Sequence, residues 1–253
     1  MRSFEKFEFK PEITERTIMQ KKLTMAAMLG AFAFAEEIKT DLEFGWFNKY
    51  ADRGVITVDD PVTQGAVGLE YGNWYVNLWG NLDLTEENSE KYKFSELDYT
   101  IEYRSEIGGI GEYSLGAIFY DFEKAPGTTE LTASFTFYAP LSPNISAFYD
   151  VEEIDGLYLA GSVSESIALG DELALECEAL IGWATGNYNA GSLGTDGGSS
   201  LQDVTLRAAL PIAMGDWTIS PMVSWSAICA NNLRKLAGRD DFVFFGVTLG
   251  TDF

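Results

Sequence analysis

Carboxylates and cations recur at every second position along several stretches of this chain. "ELDYTIEYR" carries Glu96, Asp98, Glu102 and Arg104 on one parity. "GNLD" adds Asn81 and Asp83, "ELALECEAL" adds Glu176 and Glu178, and "LQDVTLRAAL" adds Asp203 and Arg207. Glu43, Lys49, Glu70, Asn77 and Glu130 continue the same pattern. An acid pair such as Glu96 and Asp98 could support proton transfer. Acids on alternate residues more often form a polar lining. No histidine occurs in the chain, so a Ser-His-Asp triad, a Cys-His pair and a His-ligated metal site are all excluded. Cys177 and Cys229 form no metal-binding spacing and no redox pair. The sequence therefore predicts no enzyme, no metal and no cofactor.

The elements that must position these residues alternate with period two. In "NWYVNLWGNLDL", Trp74, Val76, Leu78 and Leu82 share one face, while Tyr75, Asn77, Trp79, Asn81 and Asp83 share the other. Twelve such segments are expected, over about 38–51, 62–72, 73–84, 94–105, 112–122, 129–139, 144–151, 156–167, 172–184, 201–212, 217–228 and 241–253. The facing of 112–122 is ambiguous, because both of its faces are partly apolar. After Glu36 no long helical periodicity appears.

One apolar and one polar face fits a soluble barrel or sandwich turned inward, or a membrane barrel turned outward. Three features favour the membrane barrel. The polar face has almost no plain solvating lysine. Short connections such as "GN", "PLSP" and "AMGD" alternate with mostly longer polar ones such as "ADRGVITVDDP", "TEENSEKYK" and "GNYNAGSLGTDGGSS". Tyr71, Trp74, Tyr103, Phe137, Trp217 and Phe253 cluster near the short turns, as an interfacial girdle does. The fold expected is an all-β, transmembrane antiparallel up-and-down barrel of about twelve strands. Closure follows because an open strand edge in lipid leaves backbone groups unpaired.

Export is expected too. "MQKKLTMAAMLGAFAFAEE" has a basic start at Lys21 and Lys22, an apolar run from Leu23 to Phe34, and small residues at Ala33 and Ala35. Residues 19–35 read as a signal peptide, residues 1–18 as an extension from a start codon placed too early, and residues 36–253 as the barrel domain. The chain holds 39 acidic and 17 basic residues, a formal charge of -22, and loss of residues 1–35 makes it -24. Such a surface repels nucleic acid and attracts cations. The expected location is the outer membrane of a Gram-negative cell, with outer-membrane lipid as the surrounding partner. The last strand, "DFVFFGVTLGTDF", ends on Phe253, the kind of terminal aromatic that addresses a chain to the barrel assembly machinery.

The first connection carries a further signal. "YADRGVI" followed by "DPVTQGAVGLEY" resembles the first hairpin of the TorF-type porins and related bacterial outer-membrane proteins. Tyr50, Arg53, Gly54, Pro61, Gln64 and Gly65 match that pattern, and the likeness is sharpest over residues 50–103. Asp52 and Asp60 depart from it. The resemblance implies a porin-like barrel for passive diffusion. Strand parity alone predicts the lining: Arg53, Gln64, Asn81, Asp83, Glu96, Asp98, Glu102, Arg104, Glu176, Glu178, Asp203 and Arg207. Its acid excess predicts a cation-leaning path for ions or small polar solutes. The alternative is a non-conducting structural, receptor or adhesin barrel in which Arg53, Arg104 and Arg207 pair with Glu96, Asp98 or Glu102. Tyr50 has the apolar parity and is expected at the outer interface. Gln64 is expected to face Arg53, and loop 185–200 is expected to be flexible from its composition.

Overall fold

The computed structural model of the chain describes residues 38–86, 91–170, 172–194, 198–230, 233–234 and 241–253. The signal peptide expected over residues 19–35 and the extension expected over residues 1–18 lie outside the described residues.

Twelve strands form the wall: β1 (Lys39–Phe47), β4 (Val62–Tyr71), β5 (Trp74–Asp83), β6 (Phe94–Ile107), β7 (Gly111–Phe122), β8 (Thr128–Phe137), β9 (Asn144–Asp150), β10 (Gly156–Ala168), β11 (Ala174–Ala184), β12 (Ser200–Ala209), β14 (Trp217–Ile228) and β15 (Asp241–Asp252). Every neighbour is antiparallel, and pairing of β12 with β14 and of β1 with β15 closes the ring. Closure leaves no open edge, which a strand in hydrocarbon requires. The twelve segments expected from periodicity are thus the twelve wall strands. Pro211 lacks an N–H, so the tenth segment breaks after Ala209 and resumes as the short β13 (Ile212–Met214).

Burial is inverted relative to a soluble core. Phe44, Val67, Leu115, Leu131, Ile145, Ile181, Leu206, Val223, Val243 and Phe245 all lie on the outside with much of their surface uncovered, while Asn81, Asp83, Glu96, Glu130, Gln202 and Asp203 are buried. The polar parity therefore turns into the lumen. The chain folds as a transmembrane barrel, with Trp74 against Tyr103 (5.3 Å, edge-on) in its belt near the short turns. The ambiguous β7 is settled by partners: Ser114 bonds Ser134, and Tyr120 bonds Glu130, so the even residues face inward.

Two departures from the periodic reading matter. The connection after β1 does not stand above the membrane. It folds into a small hairpin, β2 (Tyr50–Asp52) and β3 (Val55–Val58), that enters the lumen. Lys49 pins its base by an ion pair to Asp59 at 2.6 Å. Tyr50 is consequently not at the outer interface; its ring packs on lumen-facing Trp79, with centroids 5.6 Å apart. Loop 185–200 is not simply flexible either. It contains a helix, α1 (Gly186–Leu193), whose N-cap Thr185 accepts from the Tyr188 N–H.

A bulge completes the inner wall. Ile181 pairs with Val204 and Trp183 with Leu201, so Gln202 and Asp203 together oppose Gly182. Both side chains then turn inward and are fully buried. A Cβ on Gly182 would lie 2.2 Å from Asp203 Oδ1 and 2.3 Å from Tyr158 Oη. Gly182→Ala is expected to destabilise the barrel by about 1–3 kcal/mol, the usual range for overpacking. The temperature at which the folded band converts to the unfolded band in gel electrophoresis measures this; an unchanged transition would refute it.

Candidate functional site

The hairpin reverses tightly at its tip because its two tip residues adopt left-handed backbone. Arg53 has φ 45° and Gly54 has φ 79°. Gly54 is needed twice over. Its conformation favours glycine, and a Cβ there would come within 2.4 Å of Asp203 Cβ on the opposite wall. Gln202 Nε2 donates to the Arg53 carbonyl at 2.8 Å and fixes the tip in place.

From that tip the Arg53 side chain enters a box built by the far wall. Its Nη1 and Nη2 donate to the two oxygens of Glu130, each at 2.7 Å, a parallel two-point pairing that the planar fork suits. Nη1 also donates to the Tyr188 hydroxyl from helix α1. The guanidinium carbon lies 4.4 Å from the Phe148 ring centre, 4.9 Å from Tyr158 and 5.5 Å from Tyr188, within cation–π range of all three. Glu130 is held in turn by Tyr120, whose hydroxyl donates at 2.8 Å, and Tyr158 donates to Asp203 at 2.9 Å. The Arg53 side chain is 13% exposed and that of Glu130 4%. Burial works against the guanidinium's charge, but Tyr188, Glu130 and Asp52 outweigh it and push its pKa well above the ordinary value.

The neighbouring loops brace the box. Asp150 accepts from the N–H groups of Glu152, Glu153 and Ile154 at 2.9–3.0 Å and from Thr128 at 2.7 Å. Ile154 packs against the cluster of Tyr158, Ala160, Ala184 and Tyr188.

The other singled-out residues sit elsewhere on the inner wall. Gln64 donates to Asn81 at 3.0 Å rather than meeting Arg53. Asn81 donates to Asp83 at 2.9 Å, and Ser95 donates to Asp83 at 2.8 Å. Glu96 is buried in the same region, and Asp98, two residues along, has a buried Oδ1 with no hydrogen-bond partner among the described residues. Arg104 pairs with Glu102 at 2.7 Å and stacks 3.6 Å from the centre of Tyr75. Arg207 and Glu178 approach to 3.6 Å across β11 and β12. Glu176 lies nearer the short turns, beside a cavity of about 530 Å³ also lined by Ser164, Ser166, Glu178 and Arg207.

The pairing of arginines differs from the sequence expectation. Arg104 has its carboxylate on its own strand, but Arg53 uses Glu130 and Arg207 uses Glu178. The hairpin's reach explains the first difference. Arg53 is carried past Glu96 and Asp98 to the opposite side of the lumen. Gln202 and Tyr188 were not among the residues expected to matter. Gln202 was hidden by strict alternation, which places it outward until the bulge turns it in. Tyr188 lay in a loop with no periodic signal; Thr185 three residues before it was the one available helix-start signal.

Below the hairpin, toward the short turns, the lumen opens. A cavity of about 340 Å³ is lined by Asp52, Arg53, Ser146, Phe148, Tyr158 and Asp203, among others. A larger one, about 880 Å³, is bounded by Glu70, Glu102, Arg104, Glu106, Glu112, Ser114, Ser134 and Thr136. Acids outnumber bases in both linings: Asp52, Glu178 and Asp203 against Arg53 and Arg207 in the smaller, and Glu70, Glu102, Glu106 and Glu112 against Arg104 in the larger.

No family model and no curated protein matches the chain. Solved structures do share its fold. NanC porin is 13% identical and aligns over 85% of this chain and 98% of its own, with a TM-score of 0.50. KdgM porin in complex with disordered oligogalacturonate is 9% identical over 85% and 99%, with a TM-score of 0.51. LpxR from Salmonella typhimurium is 10% identical over 83% and 99%, with a TM-score of 0.50. At these identities the likeness establishes a fold, and the fold is that of the bacterial outer-membrane β-barrels.

Proposed function

We propose that the chain is a porin-like channel of the bacterial outer membrane, passing ions or small polar solutes by diffusion, with a cation-leaning lumen narrowed by the hairpin of β2 and β3. The observation that carries this reading is the water-accessible, carboxylate-rich lumen on the short-turn side of the hairpin, bounded by Glu70, Glu102, Glu106 and Glu112 against Arg104. Carboxylates lining a low-dielectric passage concentrate cations and repel anions. The resemblance of residues 50–103 to the TorF-type porins and the shared fold with NanC and KdgM porins support the same class. In this reading Gln64, Asn81, Asp83, Glu96, Asp98, Glu102, Arg104, Glu176, Glu178, Asp203 and Arg207 line the path, and Arg53 sets its width. It assigns passage rather than a reaction. Outer-membrane lipid covers the apolar belt, and Phe253, 70% exposed at the end of β15, offers the aromatic address for the assembly machinery.

The second reading, a closed structural or receptor barrel, is favoured by one observation. Arg53, Arg104 and Arg207 each have a carboxylate partner inside the lumen. Planar-bilayer recording separates the two. The channel reading expects single-channel steps, and a reversal potential in a potassium chloride gradient that reports cation preference. Silence from both the native chain and a chain lacking residues 50–58, or a preference for chloride, would reject it.

A further inference from the structure

The box around Arg53 has the make-up of a receptor for a flat organic cation. Three aromatic faces, a two-oxygen acceptor and a hydroxyl converge on one point, and that combination recognises a guanidinium better than a compact, strongly hydrated ion. Its walls are held independently of the hairpin. Tyr120 orients Glu130, Asp203 holds the Tyr158 hydroxyl, and the rings of Phe148, Tyr158 and Tyr188 brace one another at 5.6–6.2 Å. The box would therefore keep its shape if Arg53 left. It is also reachable, because Phe148 and Tyr158 line the cavity beneath the hairpin. The net charge of -22 attracts cations to the molecule.

We infer that this box is a binding site for guanidinium-bearing solutes, and that Arg53 occupies it as an internal stand-in. A soluble guanidinium compound takes the place of the Arg53 side chain on Glu130 and between the rings, and the hairpin is displaced. The idea deepens the channel reading by naming the solute class that would pass or open it, and in that part it rests on that reading.

The test is calorimetric binding of N-methylguanidinium to the full chain in detergent micelles. Arg53→Gly empties the box while suiting the left-handed backbone at this position. Arg53→Asn, which also tolerates that conformation, serves if the glycine variant does not give the folded gel band. A tethered side chain competes at an effective concentration of about millimolar. The emptied variant is accordingly expected to bind one N-methylguanidinium about tenfold more tightly than the native chain, the factor a millimolar competitor imposes on a site of about 0.1 mM intrinsic affinity. Adding Glu130→Gln is expected to abolish that gain. Equal affinity in native and emptied chains, or retention of the gain with Glu130→Gln, would overturn the inference. Conductance of the same preparations keeps the two readings apart. Binding without conductance sinks the channel and leaves the box standing; conductance without binding sinks the box and leaves the channel.

Discussion

Glu130→Ala is expected to release the hairpin and expose the Arg53–Gly54 peptide bond to trypsin. In the native chain the Arg53 guanidinium is buried on Glu130, and a protease cannot take a side chain so enclosed. Removing one partner of a buried pair costs about 3–5 kcal/mol, because the remaining charge stays in a poorly solvated place. Arg53 is left with Asp52, whose carboxylate is 3.7 Å from its Nε and itself 59% open to water, a weaker substitute. Undocking lets the guanidinium recover its hydration. At about 1.4 kcal/mol per factor of ten, the docking equilibrium constant falls, and the undocked fraction that trypsin meets rises, by about a hundredfold or more. Limited proteolysis of the folded barrel, read as the rate at which a fragment beginning at Gly54 appears, measures this. Cleavage as slow as in the native chain would show that Glu130 does not hold the tip. Lysines elsewhere are cut in both proteins and serve as internal references.

Gly54→Val attacks the same contact from the other side and is expected to widen the lumen. Two penalties coincide at this position. Left-handed backbone costs a side-chain-bearing residue about 1–2 kcal/mol, and a branched one sits at the upper end. The new Cβ would also meet Asp203, whose carboxylate is fixed by Tyr158 and by the bulge opposite Gly182. The opposing wall is part of the closed sheet, so the hairpin must yield instead. The backbone penalty alone shifts the docking equilibrium by about tenfold. In planar bilayers, larger or longer-lived open steps than those of the native chain are expected, alongside faster tryptic cleavage after Arg53. Faster cleavage with unchanged conductance would separate the hairpin from control of the path.

Both results turn on features that differ in how far the sequence reveals them. Glu130 is legible: it stands on the polar parity of "ELTASFTF", and parity is a local property of a pleated strand. Arg53 is marked in the sequence by its motif and its inward parity. Its partner was not legible, because 77 residues separate Arg53 from Glu130 and no local rule links a loop tip to a strand on the far wall. Gln202 shows a different limit. A one-residue bulge reverses the facing of everything on one side of it, and "LQDVTL" carries no mark of where the extra residue falls. Tyr188 was obscured by composition. The Gly, Asn and Ser content of residues 186–193 argues for a mobile loop, yet an anchored tyrosine and a threonine cap hold one short helix in place.

The sequence by itself determined the closed twelve-stranded barrel, its apolar exterior and its polar, acid-rich interior. Each follows from period-two alternation together with the rule that a strand in lipid leaves no backbone group unpaired. Only the tertiary structure decided that the first connection folds inward, and that the far wall meets its arginine with a carboxylate and three rings. That outcome depends on distances across a closed cylinder, where residues remote in the chain become neighbours once the ring shuts.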